Sequence, residues 1–235
     1  MTSTTQRLRL HIAALSSQPE VFWVTEERFD KACSRHPELA SRIVADWSWD
    51  LVGFERALNV SDIVIGWRFG DLSSFRNLHQ LKWIQLTGAG TEHLQPLSWL
   101  PRHITLTNNA GVHAAKLAEF AGTAILMLNH GFPHYITHQR DSKWSKKFTT
   151  TIFGKTALII GLGNTGGNVA KWLKSKLGLN VIGVRRSGRT HRYADAVFTP
   201  DQLDTLLPQA DFIIVTAPLT NETVDLLDRR RLSLL

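Results

Sequence analysis

The stretch Thr156-Ala157-Leu158-Ile159-Ile160-Gly161-Leu162-Gly163-Asn164-Thr165-Gly166 reads as a strand running straight into a glycine-rich loop. A helical segment follows, then a second strand ending Val184-Arg185-Arg186-Ser187, all within about 30 residues. That is the pattern of a βαβ unit that binds a dinucleotide, and each glycine has its own task. Gly161 permits the tight turn out of the strand, Gly163 lets the backbone approach a pyrophosphate, and Gly166 lets the helix pack close on the strand. The helix N-terminus, where Asn164 and Thr165 stand, offers free N–H groups and a positive dipole end to the phosphates. Gly154-Lys155-Thr156 imitates the end of a different phosphate loop. There, however, Thr149 stands where that motif needs its first glycine, and the tripeptide leads into a strand.

Working outward, residues 180–184, 196–199 and 212–216 read as the further strands of this domain, with helices over 164–177 and from Thr199 to 207. Thr199-Pro200-Asp201-Gln202 is a helix start, with Thr199 as cap, Pro200 at the first helical position and Gln202 reaching back. A last helix is expected to begin near Asn221. Upstream, residues 8–13, 42–45, 61–67, 81–86 and 103–106 read as strands, and 25–35, 50–58, 71–79 and 92–99 as helices or helical turns. Short strands alternating with helices imply a parallel sheet covered on both faces. The expected fold class is therefore α/β: a flavodoxin-like domain over residues 1–108, then an incomplete Rossmann domain, a doubly wound parallel sheet, over 109–235. Residues 109–150 serve as hinge and linking helix. That helix, residues 113–129, is apolar nearly all round and closes at Gly131, so it should be buried between domains or subunits. Residues 132–150 read as a polar connection whose Lys143-Trp144-Ser145-Lys146-Lys147-Phe148 is a solvated basic loop.

The 235 residues are 43% apolar, ample for packed cores, and their net charge of +7 favours anionic partners without choosing among them. A single cysteine, Cys33, excludes an internal disulfide framework and any multi-cysteine zinc site. The start is polar and basic, and the longest apolar run, residues 120–128, is far short of a membrane span. A cytoplasmic protein with no membrane partner is expected, and nucleic acid is not an expected ligand. His130, His134 and His138 recur every four residues, but the Gly131-Phe132-Pro133 interruption and the lack of a nearby carboxylate or cysteine argue against a metal site.

Four blocks in order carry a resemblance across nearly the whole chain. They are Leu81-Lys82-Trp83-Ile84-Gln85 with Gly88-Ala89-Gly90, Asn108-Asn109-Ala110-Gly111-Val112-His113 with Leu117-Ala118-Glu119, the Gly161–Gly166 loop, and Ala210-Asp211-Phe212 running to Pro218-Leu219-Thr220-Asn221-Glu222-Thr223. Together they resemble the D-isomer-specific 2-hydroxyacid dehydrogenases, which include glyoxylate and hydroxypyruvate reductases. The resemblance implies that the backbone N–H groups of Ala89 and Gly90 receive a substrate carboxylate, as a small anion nest can. It implies that Asn108 is a hinge residue near substrate and cofactor, with Trp67 and Arg68 as further candidates for lining the substrate pocket. It assigns the cofactor to Gly161, Gly163, Asn164, Thr165 and Gly166, and to the loop bearing Ala217, Pro218 and Thr223.

Cofactor choice follows from position 185. An Asp or Glu about 20 residues beyond the glycines binds both ribose hydroxyls of NAD. Arg185 stands there instead, with Arg186, Ser187 and Arg189 beside it, and guanidinium groups and a hydroxyl match the 2′-phosphate of NADP. NADP (NADPH) is expected over NAD. The family reaction passes a hydride between nicotinamide and a small 2-keto or 2-hydroxy acid, supported by an arginine, a histidine and a glutamate. None of the ten histidines matches that histidine, so no catalytic residue is expected within these 235 residues. The second domain also has four of the six strands of the order 3-2-1-4-5-6. The chain is therefore expected to be the N-terminal part of a longer enzyme, inactive alone and a homodimer when full length. The alternative is a non-catalytic dinucleotide-binding sensor.

Overall fold

The computed structural model describes residues 7–235, which fall into two compact units divided between Ala110 and Gly111. In the first, β1 (Leu8–Ala13), β2 (Ile43–Ser48), β3 (Ile63–Gly66), β4 (Trp83–Leu86) and β5 (Thr105–Thr107) form one parallel sheet in the order β2-β1-β3-β4-β5. This is the flavodoxin-like order, as the alternating pattern implied. Helices α1 (Glu26–Cys33), α2 (Pro37–Ala40) and α3 (Leu51–Leu58) connect the early strands. Thr25 accepts from the Arg28 amide and Asp50 from the Gly53 amide, so α1 and α3 each begin on a side-chain cap. Beyond β3 the expected helices shrink to 3-10 turns over Leu72–Asn77, Glu92–Leu94 and Leu97–Trp99. Pro96 separates the last two, since it has no amide to continue a helix.

Period-two alternation puts Leu10 and Ile12 with Ile63, Phe29 and Trp47 on one face of the sheet. Phe54, Phe69, Phe75 and Trp99 pack on the other. His11 is buried beside Phe54, and one tautomer satisfies both of its neighbours: Nδ1 donates to Asp46 Oδ2 (3.0 Å), while Nε2 accepts from Ser48 Oγ (2.8 Å). Asp62 is the second buried polar hub. It accepts from the Arg9 amide at 2.9 Å, and from Gln80 Nε2 and Lys82 Nζ at 2.8 Å each. Burial alone would raise its pKa, but the Arg9 amide, Lys82 and Gln80 together outweigh burial and hold it below the usual carboxylate range. Its ionised form therefore stabilises the fold above the unfolded pKa, and that contribution disappears as pH falls through the lowered folded pKa. Asp62→Ala should cost about 3 kcal/mol at neutral pH. In urea unfolding at several pH values, the gap between variant and parent should narrow on acidification. A gap independent of pH would refute the role given to the charge.

The second unit contains β6 (Thr156–Ile160), β7 (Asn180–Val184), β8 (Ala196–Phe198) and β9 (Phe212–Val215), all parallel in the order β8-β7-β6-β9. In sequence order this is 3-2-1-4, the first four strands of the doubly wound arrangement. Helix α4 (Ala114–Asn129) packs Ala118, Gly122 and Ile125 against α6 (Asn164–Trp172). Only that face is covered. Phe120 is 70% exposed and Leu128 59% in the single chain.

Three expectations are corrected. Residues 132–150 are not all connection, because α5 (Phe132–Arg140) begins immediately after Gly131, whose φ is 70°. Pro133 sits in its first turn, where a missing N–H costs nothing. His134 and His138 lie one turn apart on it, with ring centroids 4.1 Å apart and planes tilted by 38°. Next, α6 continues as a π-helical turn over Leu173–Leu177, closed by Gly178, and the segment after Thr199 is a 3-10 turn leading into the short α7 (Leu203–Leu206). Finally, residues 221–227 are turns, and only α8 (Arg229–Leu232) is helical. There the Thr223 hydroxyl takes local backbone partners and Asp225 has a φ of 52°, both incompatible with a helix.

Candidate functional site

Gly161 leaves β6 with a φ of 100°, and its amide donates to Val184 O at 2.8 Å. The carbonyl of Gly161 accepts from Thr216 Oγ1 at 2.6 Å, which ties the loop to the end of β9. A Cβ on Gly161 would overlap the backbone of Ala217, and one on Gly166 would overlap Gly161 O and Thr216 Oγ1. Gly163 differs. A Cβ there would meet no atom within 4 Å, and its extended conformation needs no glycine. The first helical bond is Gly167 N to Gly163 O (2.7 Å), and the amides of Asn164, Thr165 and Gly166 have no partner among the described residues. Donors facing open space above an empty Cβ position form a cradle for an anion at a helix start.

Beside this cradle is a cavity of about 420 Å3. It brings together Gly161, Gly163, Arg185, Arg186, Ser187, Ala217, Pro218 and Thr223. Gly166 lies buried beneath it, while Asn164 and Thr165 stand on the first turn of α6. Arg185 Nε donates to Ser187 Oγ (2.8 Å) and Nη1 to Leu162 O (3.5 Å), so this guanidinium is held against the loop. Arg186 is exposed, with no ion pair or side-chain hydrogen bond among the described residues. Thr223 Oγ1 donates to Pro218 O (2.6 Å) and accepts from the Thr220 amide (2.8 Å), fixing the loop after β9. Pro200, Leu203 and Leu226 complete an apolar wall that the sequence did not single out. The sequence presents Pro200 only as a helix starter.

In the first unit the turn after β4 carries Ala89 and Gly90, whose amides donate to nothing among the described residues. Asn108 Nδ2 donates to Ala89 O (2.7 Å) and its Oδ1 accepts from the Ala110 amide (3.2 Å), so its side chain braces this turn. Asn109 does the same for Thr87 O at 3.0 Å. Glu92 Oε2 lies 2.5 Å from where a Gly90 Cβ would be, so this exposed carboxylate stands beside the turn.

Residues 123–235 match the family model described as the NAD binding domain of D-isomer specific 2-hydroxyacid dehydrogenases. D-3-phosphoglycerate dehydrogenase of Mycobacterium tuberculosis is 28% identical over 226 residues, covering 94% of this chain and 38% of that enzyme. Residues 123–235 thus belong to the D-isomer-specific 2-hydroxyacid dehydrogenase family as its NAD binding domain, and the chain as a whole is similar to that family's members. Among solved structures, a 2-hydroxyacid dehydrogenase family protein of Aeromonas salmonicida is 26% identical with a TM-score of 0.71, over 93% of this chain and 66% of that one. A probable 2-hydroxyacid dehydrogenase of Rhizobium etli, in complex with NADP, is 25% identical with a TM-score of 0.70, over 92% and 64%. The chain thus spans about two-fifths of the mycobacterial dehydrogenase's length and about two-thirds of these two dehydrogenase structures. No helix among the described residues is long and apolar enough to cross a membrane.

Proposed function

We propose that these residues are the dinucleotide-binding and carboxylate-binding parts of an NADP-dependent 2-hydroxyacid dehydrogenase or 2-ketoacid reductase. The observation that carries the cofactor preference is Arg185, held by Ser187 in the place of the ribose-binding acid, with Arg186 free beside it. Two guanidinium groups and a hydroxyl offer charge-assisted donors to a 2′-phosphate, whereas the 2′-hydroxyl of NAD gains little from them. The related Rhizobium protein in complex with NADP supports the same choice.

When bound, a nicotinamide dinucleotide supplies or accepts the hydride. This chain's residues bind and orient. The amides of Asn164 and Thr165 meet the pyrophosphate, Gly163 leaves it room, and the loop from Ala217 to Thr223 borders the cofactor. In the first unit the free amides of Ala89 and Gly90 hold the carboxylate of a small 2-keto or 2-hydroxy acid, with Asn108 positioning the turn. The arginine, glutamate and histidine that support the family reaction are assigned to no residue of this chain, and the enzyme is proposed to act in the cytoplasm as a homodimer. Fluorescence titration of the purified chain with NADPH and with NADH tests the reading. NADPH should bind at least about 10-fold more tightly, a difference of roughly 1.4 kcal/mol. Equal affinities would remove the NADP assignment, and no binding of either would remove the dinucleotide site.

A further inference from the structure

The carbonyl oxygens of the turn after β4 are tied down one after another. Leu86 O accepts from Gln85 Nε2 (2.7 Å) and Thr87 O from Asn109 Nδ2 (3.0 Å). Gly88 O accepts from the Asn109 amide (3.0 Å) and Ala89 O from Asn108 Nδ2 (2.7 Å), so these two carbonyls face the Asn108–Asn109 dipeptide. In a trans peptide the N–H points opposite to the C=O of the same plane. The Ala89 amide shares its plane with Gly88 O, and the Gly90 amide shares its plane with Ala89 O. Both N–H groups are therefore aimed away from the dipeptide, as an anion nest requires.

Behind the dipeptide, side chains of β4 and β5 form a relay with a single polarity. Trp83 and Gln85 project on the sheet face opposite the core residue Ile84, and Thr107 is the register partner of Gln85. The indole of Trp83 has a hydrogen to give and no lone pair to offer. Thr107 Oγ1 therefore accepts from Trp83 Nε1 (2.6 Å) and sends its own hydrogen to Gln85 Oε1 (2.6 Å), Ile84 O being farther away at 3.4 Å. Gln85 must then turn its amino group to Asn109 Oδ1 (3.1 Å), and Asn109 must turn its own to Thr87 O. Reversing either amide would set acceptor against acceptor. Hydrogen bonds in such a chain polarise and strengthen one another.

We infer that Trp83, Thr107, Gln85 and Asn109 are positioning residues for a substrate carboxylate. The relay fixes the Asn109 side chain, and Asn109 together with Asn108 aims the Ala89 and Gly90 amides. The inference rests on the assignment of that turn to the carboxylate of a 2-keto acid.

Amide NMR titration of the 235-residue chain with pyruvate tests it. In the parent, shifts of the Ala89 and Gly90 amides should saturate. Thr107→Val keeps the side-chain shape at a half-buried position and removes the hydroxyl, so pyruvate should bind at least about 5-fold more weakly, the worth of one hydrogen bond. Thr107→Ser restores the hydroxyl and should recover the parent's affinity. Gln85→Met cuts the relay one step nearer the turn and should weaken binding at least as much as Thr107→Val. The urea midpoints of all four chains should agree. Unchanged affinity in Thr107→Val or Gln85→Met, or a Thr107→Ser chain as weak as Thr107→Val, would overturn the inference and leave the assignment of the turn standing. Weaker binding that tracked a lower urea midpoint would overturn it as well, by placing the effect in the fold. A parent whose Ala89 and Gly90 amides ignore pyruvate would remove the assignment itself, and the inference with it.

Discussion

Gly163→Val should leave the chain folded and lower its dinucleotide affinity at least about 100-fold, or roughly 2.7 kcal/mol. No atom lies within 4 Å of the added Cβ, and the backbone there is extended, so the change in unfolding free energy should stay within about 1 kcal/mol. The added methyl groups project into the space above the free amides of the first turn of α6, where a pyrophosphate would approach. Gly161→Val is the informative contrast. With a φ of 100° and the Ala217 backbone in the way, a side chain there should cost at least about 3 kcal/mol of stability. Its loss of binding would then follow from loss of structure. Urea unfolding paired with NADPH titration separates the two effects. A folded Gly163→Val chain with the parent's affinity would mean that the glycine loop is not where the dinucleotide sits.

The double variant Arg185→Asp, Arg186→Ala should reverse the cofactor preference. Each guanidinium pairing with a 2′-phosphate is worth about 1.5–3 kcal/mol, so NADPH affinity should fall about 10³-fold. An Asp at 185 repels that phosphate but accepts hydrogen bonds from the ribose hydroxyls of NADH. NADH affinity should therefore hold or rise. Arg185 has two partners in the folded chain, Ser187 and Leu162 O, both in exposed or half-exposed surroundings. Losing them should shift stability by less than about 1 kcal/mol. Titration of both cofactors against parent and variant reads the outcome. Equal weakening of the two would mean that the arginines act on shape and not on the phosphate.

Much of this was legible in the chain because the signals are local. The strand run 156–160, the glycines at 161, 163 and 166 and the second strand specify a parallel pair and its crossover without help from elsewhere. The five-strand order of the first unit likewise follows from short apolar runs spaced by helical turns. What escaped depends on neighbours distant in sequence or on a single dihedral angle. Pro133 reads as a breaker until Gly131 is known to end one helix and leave Pro133 in the first turn of the next. Residues 221–227 carry helix-compatible side chains, but the Thr223 hydroxyl captures backbone groups that a helix would need. Pro200, Leu203 and Leu226 converge on the cavity wall from separate segments, and nothing near them in sequence announces it.

The interlock of Gly161, Gly166 and Thr216 bears on how such a chain can change over evolutionary time. Two of the three glycines are demanded by packing, through overlaps with Ala217 and with Gly161 O, whatever is bound. A descendant that abandoned its ligand would still be selected to keep both. Only Gly163 would be free to drift, so the residue at that single position, followed through a lineage, records whether the ligand was retained.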